Sequence, residues 1–281
     1  MISKISLIII SHKSKSLVLK YVKNIYNKLN IIVVDNSNDL SLEDEIKKKY
    51  PNILFKFTDN NGYGAAINFG SKFVQTKYFI VSNPDVSGLD NDNIEIFHQF
   101  AFKINDKFSV LGPRFVNADP KSINQSDVNK EVAEMRFLSG ACMFFNKKNF
   151  DLLGGFDENI FLYFDENDFC KRTTKFYKNY QLNRIKLYHD AGNSVTTKND
   201  DEKNIHDNLR NWHFIWSKFY YFRKHYGFIL AFIIFIPIIL RTTFRINFYK
   251  FKNDNKNVIK YKTRLSGLIN SILNKKSFKR I

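Results

Sequence analysis

The sequence predicts an α/β domain with a mostly parallel central sheet, followed by a basic helical region. Three observations predict it. Short uninterrupted apolar runs alternate with helically spaced stretches through the first half, small or polar residues follow each run, and positive charge is concentrated at the C-terminal end.

"ISLIII" (5–10) and "IIVVD" (31–35) are apolar along their length, as strands buried on both faces are. The opening "MISKISLIIISHK" has an apolar core too short for a secretory leader and no small-residue cleavage site, so it reads as a buried strand. Between these runs, Leu17, Tyr21, Ile25 and Leu29 fall at near-helical spacing over 15–29. "ILFKF" (53–57) and "YFIVS" (78–82) are further strands, with a helix over 63–75 between them. Strand–helix–strand repetition of this kind gives a doubly wound sheet that binds ligands beyond the carboxyl ends of its strands. The places to look for a site are therefore Ser11-His12, Asp35-Asn36-Ser37, Asp59-Asn60-Asn61 and Asn83-Pro84-Asp85.

The chain of 281 residues has 44% hydrophobic content, enough for one large domain or a domain with an appendage. Two cysteines, Cys142 and Cys170, cannot build a disulfide framework, which points to a reducing compartment. Net charge is +17, of which +15 belongs to residues 210–281, where Asp254 is the single acid. Such a tail meets a polyanion, a membrane surface or a nucleic acid. A boundary near 205 divides a domain at 1–205 from a membrane-associating region at 206–281.

Within that region "YGFILAFIIFIPIIL" (226–240) is apolar over fifteen residues, contains Pro237, and is flanked by Arg223, Lys224, Arg241 and Arg245. A spanning helix needs about 20 apolar residues, so the run reads as embedded or re-entrant rather than spanning. Leu265, Leu268, Ile269, Ile272 and Leu273 then mark one apolar stripe on a basic helix, the pattern of an interfacial helix or of one packed on the preceding domain. The long apolar run argues for a membrane surface and against nucleic acid as the polyanion.

Several motifs carry potential chemistry. In "VSNPDVSG" (81–88), Pro84 ends a strand and fixes Asp85 beyond the sheet edge; alone, that carboxylate reads as a cap for the helix after "DNDN". The loop "DNNGYGAAINFG" (59–70) opens a helix with Gly62, Gly64 and Gly70 but matches neither a P-loop nor a dinucleotide fingerprint. Its helix N-terminal amides suit a phosphate or a ribose. In "FLYFDENDFCKR" (161–172), Asp165, Glu166 and Asp168 crowd between aromatics: Asp165 could cap a helix with Asp168 in its first turn, or desolvation, which favours the protonated form, could suit one of them to be a general base. "LYHDAGNSV" (187–195) places His189 after a strand-like run.

Taken in order, "SLIIISHK", "IIVVDNSN", "NNGYGAAINFG", "SNPDV", "FLSGACMFFNKKNFDLLGGFDENIFLYFDENDFCKR" and "YHDAGNSV" resemble family 2 glycosyltransferases of the GT-A fold over about residues 4–227. Within that family the chain is most similar to bacterial rhamnosyltransferase-type enzymes of cell-surface polysaccharide assembly. The resemblance implies that Ser11, Asp35 and Asn36 line the nucleotide site, and that Asn61, Gly62 and Asn68 belong to the loop closing on it. It implies that Asp85, preceded by Asn83 where a fuller DxD motif has an acid, binds Mg²⁺ or Mn²⁺ together with His189. Relatives read Glu-Asp-x-Asp where this chain has Asp165-Glu166-Asn167-Asp168, so Glu166 stands at the catalytic-base position with Asp165 beside it, and Asp168 orients its neighbours. The implied donor is dTDP-rhamnose or a UDP-sugar, the acceptor a polyprenyl-diphosphate-linked saccharide, and the location the cytoplasmic face of the bacterial inner membrane. The incomplete DxD also admits a non-catalytic scaffold on the same fold.

Overall fold

The computed structural model describes residues 5–26, 29–118, 124–190 and 199–280. Their contacts divide the chain into two compact units. The first comprises Met1–Asp157 and Glu166–Thr196; the second comprises Glu158–Asp165 and Thr197–Ile281.

The first unit opens with β1 (Ile5–Ser11), α1 (Lys15–Ile25), β2 (Asn30–Asp35), α2 (Leu40–Lys49), β3 (Leu54–Phe57), α3 (Tyr63–Ser71) and β4 (Tyr78–Ser82). It continues with β5 (Val86–Ser87), α4 (Asn91–Lys103), β6 (Phe108–Phe115), β7 (Val132–Met135), β8 (Cys142–Asn146), α5 (Lys147–Leu152), α6 (Asp165–Thr173) and β9 (Lys178–His189). The sheet order is β3-β2-β1-β4-β8-β6-β9-β5, with β7 pairing β9. The four N-terminal strands, β3-β2-β1-β4, are parallel, as expected. β8 runs antiparallel to β4 and β6, so the second half of the sheet is mixed.

Alternation of side chains explains why the β1, β2 and β4 runs are continuously apolar. Ile5, Leu7, Ile9, Ile31, Val33, Tyr78 and Ile80 pack on one face with α1, α2 and α4. Ile8, Ile10, Ile32, Val34, Phe79 and Val81 pack on the other with α3, α5 and α6. Both faces are covered, so the strands are largely apolar at residues of both parities, and a polar residue among them such as Ser6 is buried and hydrogen-bonded, its hydroxyl 2.8 Å from that of Thr76. The helix over 63–75 stops at Ser71, and the one expected over 15–29 ends at Ile25, with Tyr26 as its C-cap.

The second unit is a three-helix assembly of α7 (Asp200–Tyr226), α8 (Phe228–Phe251) and α9 (Asn255–Ile272). Asn199 and Asp254 cap α7 and α9 by accepting the Glu202 and Asn257 amides. Ile215, Phe219, Ala231, Phe235 and Leu268 form its core. Gly267 lets α9 approach α7 closely, because a Cβ there would lie 2.5 Å from the Trp212 carbonyl oxygen. The apolar stripe of α9 is therefore used inside this unit through Leu268, leaving Ile269 and Leu273 exposed.

The apolar run at 226–240 is longer as structure than as sequence. α8 continues through Pro237 for 24 residues, long and apolar enough by length and composition to cross a membrane. Ala231, Phe235, Thr242 and Ile246 are its buried side, while Ile229, Leu240 and Phe244 are 76%, 65% and 67% exposed.

Candidate active site

The loops after β1, β2 and β3 meet at one edge of the first unit. Ser11 ends β1 fully buried, its hydroxyl 3.2 Å from that of Ser14. Asp35 ends β2 and is also fully buried. Its Oδ1 accepts the amides of Ser37 at 2.9 Å and Asp39 at 3.1 Å, so the carboxylate braces its own loop. Asn36 is half-buried and joins the three loops: its Oδ1 lies 2.8 Å from His12 Nδ1, and its amide donates to Asn60 Oδ1 at 3.3 Å. His12 was signalled only by its place just past β1.

Asn61 is exposed, its amide turned back to the Asp59 carbonyl at 2.8 Å. Gly62 then starts α3 at φ +114°, a conformation glycine reaches without steric cost, and supplies no side-chain cap. Asn68 lies further along α3 with its amide clamped to one residue: Nδ2 donates to the Phe156 carbonyl and Oδ1 accepts the Phe156 amide, both at 2.9 Å. Gly155 must be glycine for that clamp, since a Cβ there would lie 2.5 Å from Asn68 Oδ1.

Asn83 follows β4, its amide bonded to the Ala141 carbonyl at 2.9 Å. Asp85 comes next and does not cap the following helix; Asp90 does, accepting the Asn93 amide at 2.8 Å. Asp85 instead precedes β5, whose antiparallel pairing sets Val86 opposite His189, the last residue of β9. His189 Nε2 consequently lies 3.4 Å from Asp85 Oδ1, with both side chains nearly buried. Asn117, which the sequence did not single out, holds the His189 backbone through bonds of 2.9 and 3.1 Å. The rest of that motif, 191–195, lies outside the described residues.

Two cis ligands of a divalent ion at about 2.0–2.1 Å stand about 3.0 Å apart, so the Asp85–His189 pair fits one ion with little adjustment. Among the described residues no group of three or more His, Cys, Asp or Glu converges on such a point.

Between Asp157 and α6 the chain passes through Tyr163 and Phe164 at φ +66° and +65°, a strained pair for bulky side chains. Their rings pack on Phe214 at 5.6 and 5.7 Å. Of the acids that follow, Asp165 is 3% and Asp168 0% exposed, while Glu166 is half-buried and reachable. Glu166 packs beside Gly140, whose added Cβ would lie 3.8 Å from that of Glu166 and 3.7 Å from the Tyr63 ring. Tyr63 Oη also donates to the Gly140 carbonyl at 2.8 Å, tying the start of α3 to this acid. Asp168 accepts from Arg172 Nε at 2.7 Å, and Arg172 donates onward to the Leu153 and Gly155 carbonyls at 3.1 and 2.6 Å. The second acid is thus accessible and the last is a brace. Burial pushes the Cys142 and Cys170 thiols up to about 12, so neither is a thiolate nucleophile.

The parallel half-sheet, its post-strand loops and the β5–β9 pairing define a GT-A fold. The chain belongs to glycosyl transferase family 2, whose profile matches residues 6–227. The low-salt glycan biosynthesis hexosyltransferase Agl10 of Haloferax volcanii is 24% identical over 206 residues, 62% of this chain. The chain spans 63% of the length of that relative. Among solved structures, the mannosyltransferase PcManGT from Pyrobaculum calidifontis, in complex with GDP-Man and Mn²⁺, superposes with a TM-score of 0.61 at 12% identity over 97% of this chain and 88% of its own. S. aureus TarS 1–349 in complex with UDP-GlcNAc gives 0.55 at 14% identity over 97% and 92%.

Proposed function

We propose that the protein is an inverting glycosyltransferase that moves a sugar from a nucleoside diphosphate to a lipid-linked saccharide at a membrane surface. The observation that carries this reading is the accessible Glu166 between two buried acids, in a chain whose family profile covers residues 6–227. Glu166 accepts the proton of an acceptor hydroxyl; that oxygen bonds to the anomeric carbon as the bond to the diphosphate oxygen breaks, and the nucleoside diphosphate leaves. No covalent enzyme intermediate is required. Asn36, Asn60 and Asn61 are the loop polar groups for the nucleotide, with Ser11, Asp35, Gly62, Asn68 and Asn83 shaping the edge around them. Asp85 and His189 would hold Mg²⁺ or Mn²⁺, which when bound supplies neutralisation of charge on the departing diphosphate. The presence of Mn²⁺ with GDP-Man in the PcManGT complex supports a divalent ion here.

The motif resemblance favours dTDP-rhamnose, whereas the hexosyltransferase relative favours a hexose donor such as a UDP-hexose. The exposed apolar side of α8, set in a strongly basic tail, supports attachment to the cytoplasmic face of a bacterial inner membrane. The test is turnover of a nucleotide-sugar panel by wild type and Glu166→Gln. Turnover of one donor by wild type, reduced about 10²–10⁴-fold in Glu166→Gln, is expected. Equal rates in both proteins would remove Glu166 from the chemistry, and no turnover of any donor with lipid acceptors present would favour the scaffold.

A further inference from the structure

The second unit contains a cavity of about 820 Å³ between α7, α9 and residues 158–165, within the usual size of a ligand site. Arg210, Lys256, Lys260 and Arg264 line it against one acid, Asp207, with Asn208 and Asn211 as further donors. Asp207 is within 3.4 Å of Arg210, which leaves the other three cations facing the cavity without it. Arg264 is half-buried over the Phe214 ring at 5.9 Å and makes no hydrogen bond or ion pair among the described residues. Desolvation first, then Arg245 and Arg241, pushes its guanidinium down, and desolvation and Arg264 do the same to Lys218. A half-buried guanidinium among other cations is costly to desolvate, and an anion placed beside it would offset that cost.

The surroundings indicate what carries that anion. Arg241 and Arg245, which act on Arg264, stand on α8 among the exposed Leu240 and Phe244. A charged cavity therefore adjoins an apolar helix face. Tyr163, on the cavity wall, precedes Glu166 by three residues in the chain.

We propose that this cavity binds the phosphate or diphosphate of a lipid whose hydrocarbon chain lies along the exposed side of α8. The inference rests on the glycosyltransferase reading and names the part of the acceptor that this chain holds. Arg264 and Lys260 are its principal ligands, supplying charge-assisted hydrogen bonds to phosphate oxygens.

The experiment uses the full chain with neutral phosphatidylcholine vesicles, plain or doped with a polyprenyl phosphate. Wild type is compared with R264Q/K260Q and with K275Q/K276Q, which removes equal charge from exposed positions outside the cavity. Expected is binding that rises on doping, a loss of that increment by about tenfold or more in R264Q/K260Q, and less than about a twofold change in K275Q/K276Q. The melting temperature of R264Q should hold or rise, because repulsion with Arg241 and Arg245 is relieved; a marked fall would make Arg264 a structural residue and overturn the assignment. K260Q alone, at a half-exposed position, repeats the binding test if the double variant fails to fold. Equal losses in the two double variants would overturn the cavity in favour of diffuse charge. Inorganic pyrophosphate bound as tightly as the doped vesicles at equal phosphate concentration would overturn the lipid in favour of a free anion, and equal competition by an RNA oligonucleotide would overturn it in favour of nucleic acid. Donor hydrolysis by wild type, measured on the same preparation, fails independently: its absence with phosphate-dependent binding intact would sink the transferase reading alone.

Discussion

Asp168→Asn removes one charge from a fully buried carboxylate that holds Arg172 at 2.7 Å. The guanidinium is mostly buried and also serves the Leu153 and Gly155 carbonyls, so it keeps two acceptors and loses its counter-ion. An asparagine oxygen can still accept one bond, which places the cost near that of a charged hydrogen bond, about 2–3 kcal/mol. In a unit of this size each kcal/mol lowers Tm by about 2–4 °C, giving a drop of about 5–10 °C by calorimetry. The turn at 153–157 is also the segment that Asn68 clamps, so its loosening should raise KM for the donor more than it lowers kcat. The reasoning is refuted if Tm is unchanged while kcat collapses, because that pattern belongs to a catalytic acid and not to a brace.

Three further outcomes are expected. Asp85→Asn should weaken Mn²⁺ binding in the presence of nucleoside diphosphate by about tenfold or more, read by electron paramagnetic resonance; unchanged affinity would place the ion elsewhere. His213 is buried with Nε2 2.8 Å from the Lys279 carbonyl and Nδ1 2.9 Å from Ser277 Oγ, and its pKa is lowered to about 4 by desolvation, then by Arg280 and Lys279. Because the folded value lies below the unfolded one, the stabilisation is complete above about pH 6.5 and is lost as pH falls toward 4, by about 2 kcal/mol at pH 5. His213→Gln should flatten that part of the pH–stability curve, and an identical curve would refute it. Serine at Ile229, Leu240 and Phe244 together should lower partition onto vesicles about a thousandfold, since each side chain contributes about 1.5 kcal/mol when buried in lipid; unchanged flotation would exclude α8 as the contact.

Much of this protein is written locally. The runs at 5–10, 31–35 and 78–82 had to be two-faced strands because residues of both parities are apolar, and the sheet core divides them as alternation requires. A parallel sheet forces its ligand groups past the strand ends, and His12, Asn36 and Asn60 converge there. The length of α8 was less legible, because hydropathy ends at Arg241 whereas backbone hydrogen bonding continues to Phe251. The apolar stripe of α9 indicated burial but not its partner; Gly267 against the Trp212 carbonyl selects α7.

The site separates in the same way. The resemblance of the ordered motifs to family 2 glycosyltransferases pointed to Asp85, His189 and the 165–168 acids, each of which alone was ambiguous. What placed Asp85 beside a histidine more than a hundred residues away was the β5–β9 register, a long-range pairing with no local signature. The bracing parts of Asp35 and Asp168, the backbone clamps of Asn68 and Asn117, and the accessibility of Glu166 between two buried acids were likewise decided by tertiary packing. Charge and polarity belong to residues one at a time, but burial and hydrogen-bond partners belong to the folded neighbourhood, and those determine which acid an acceptor can reach.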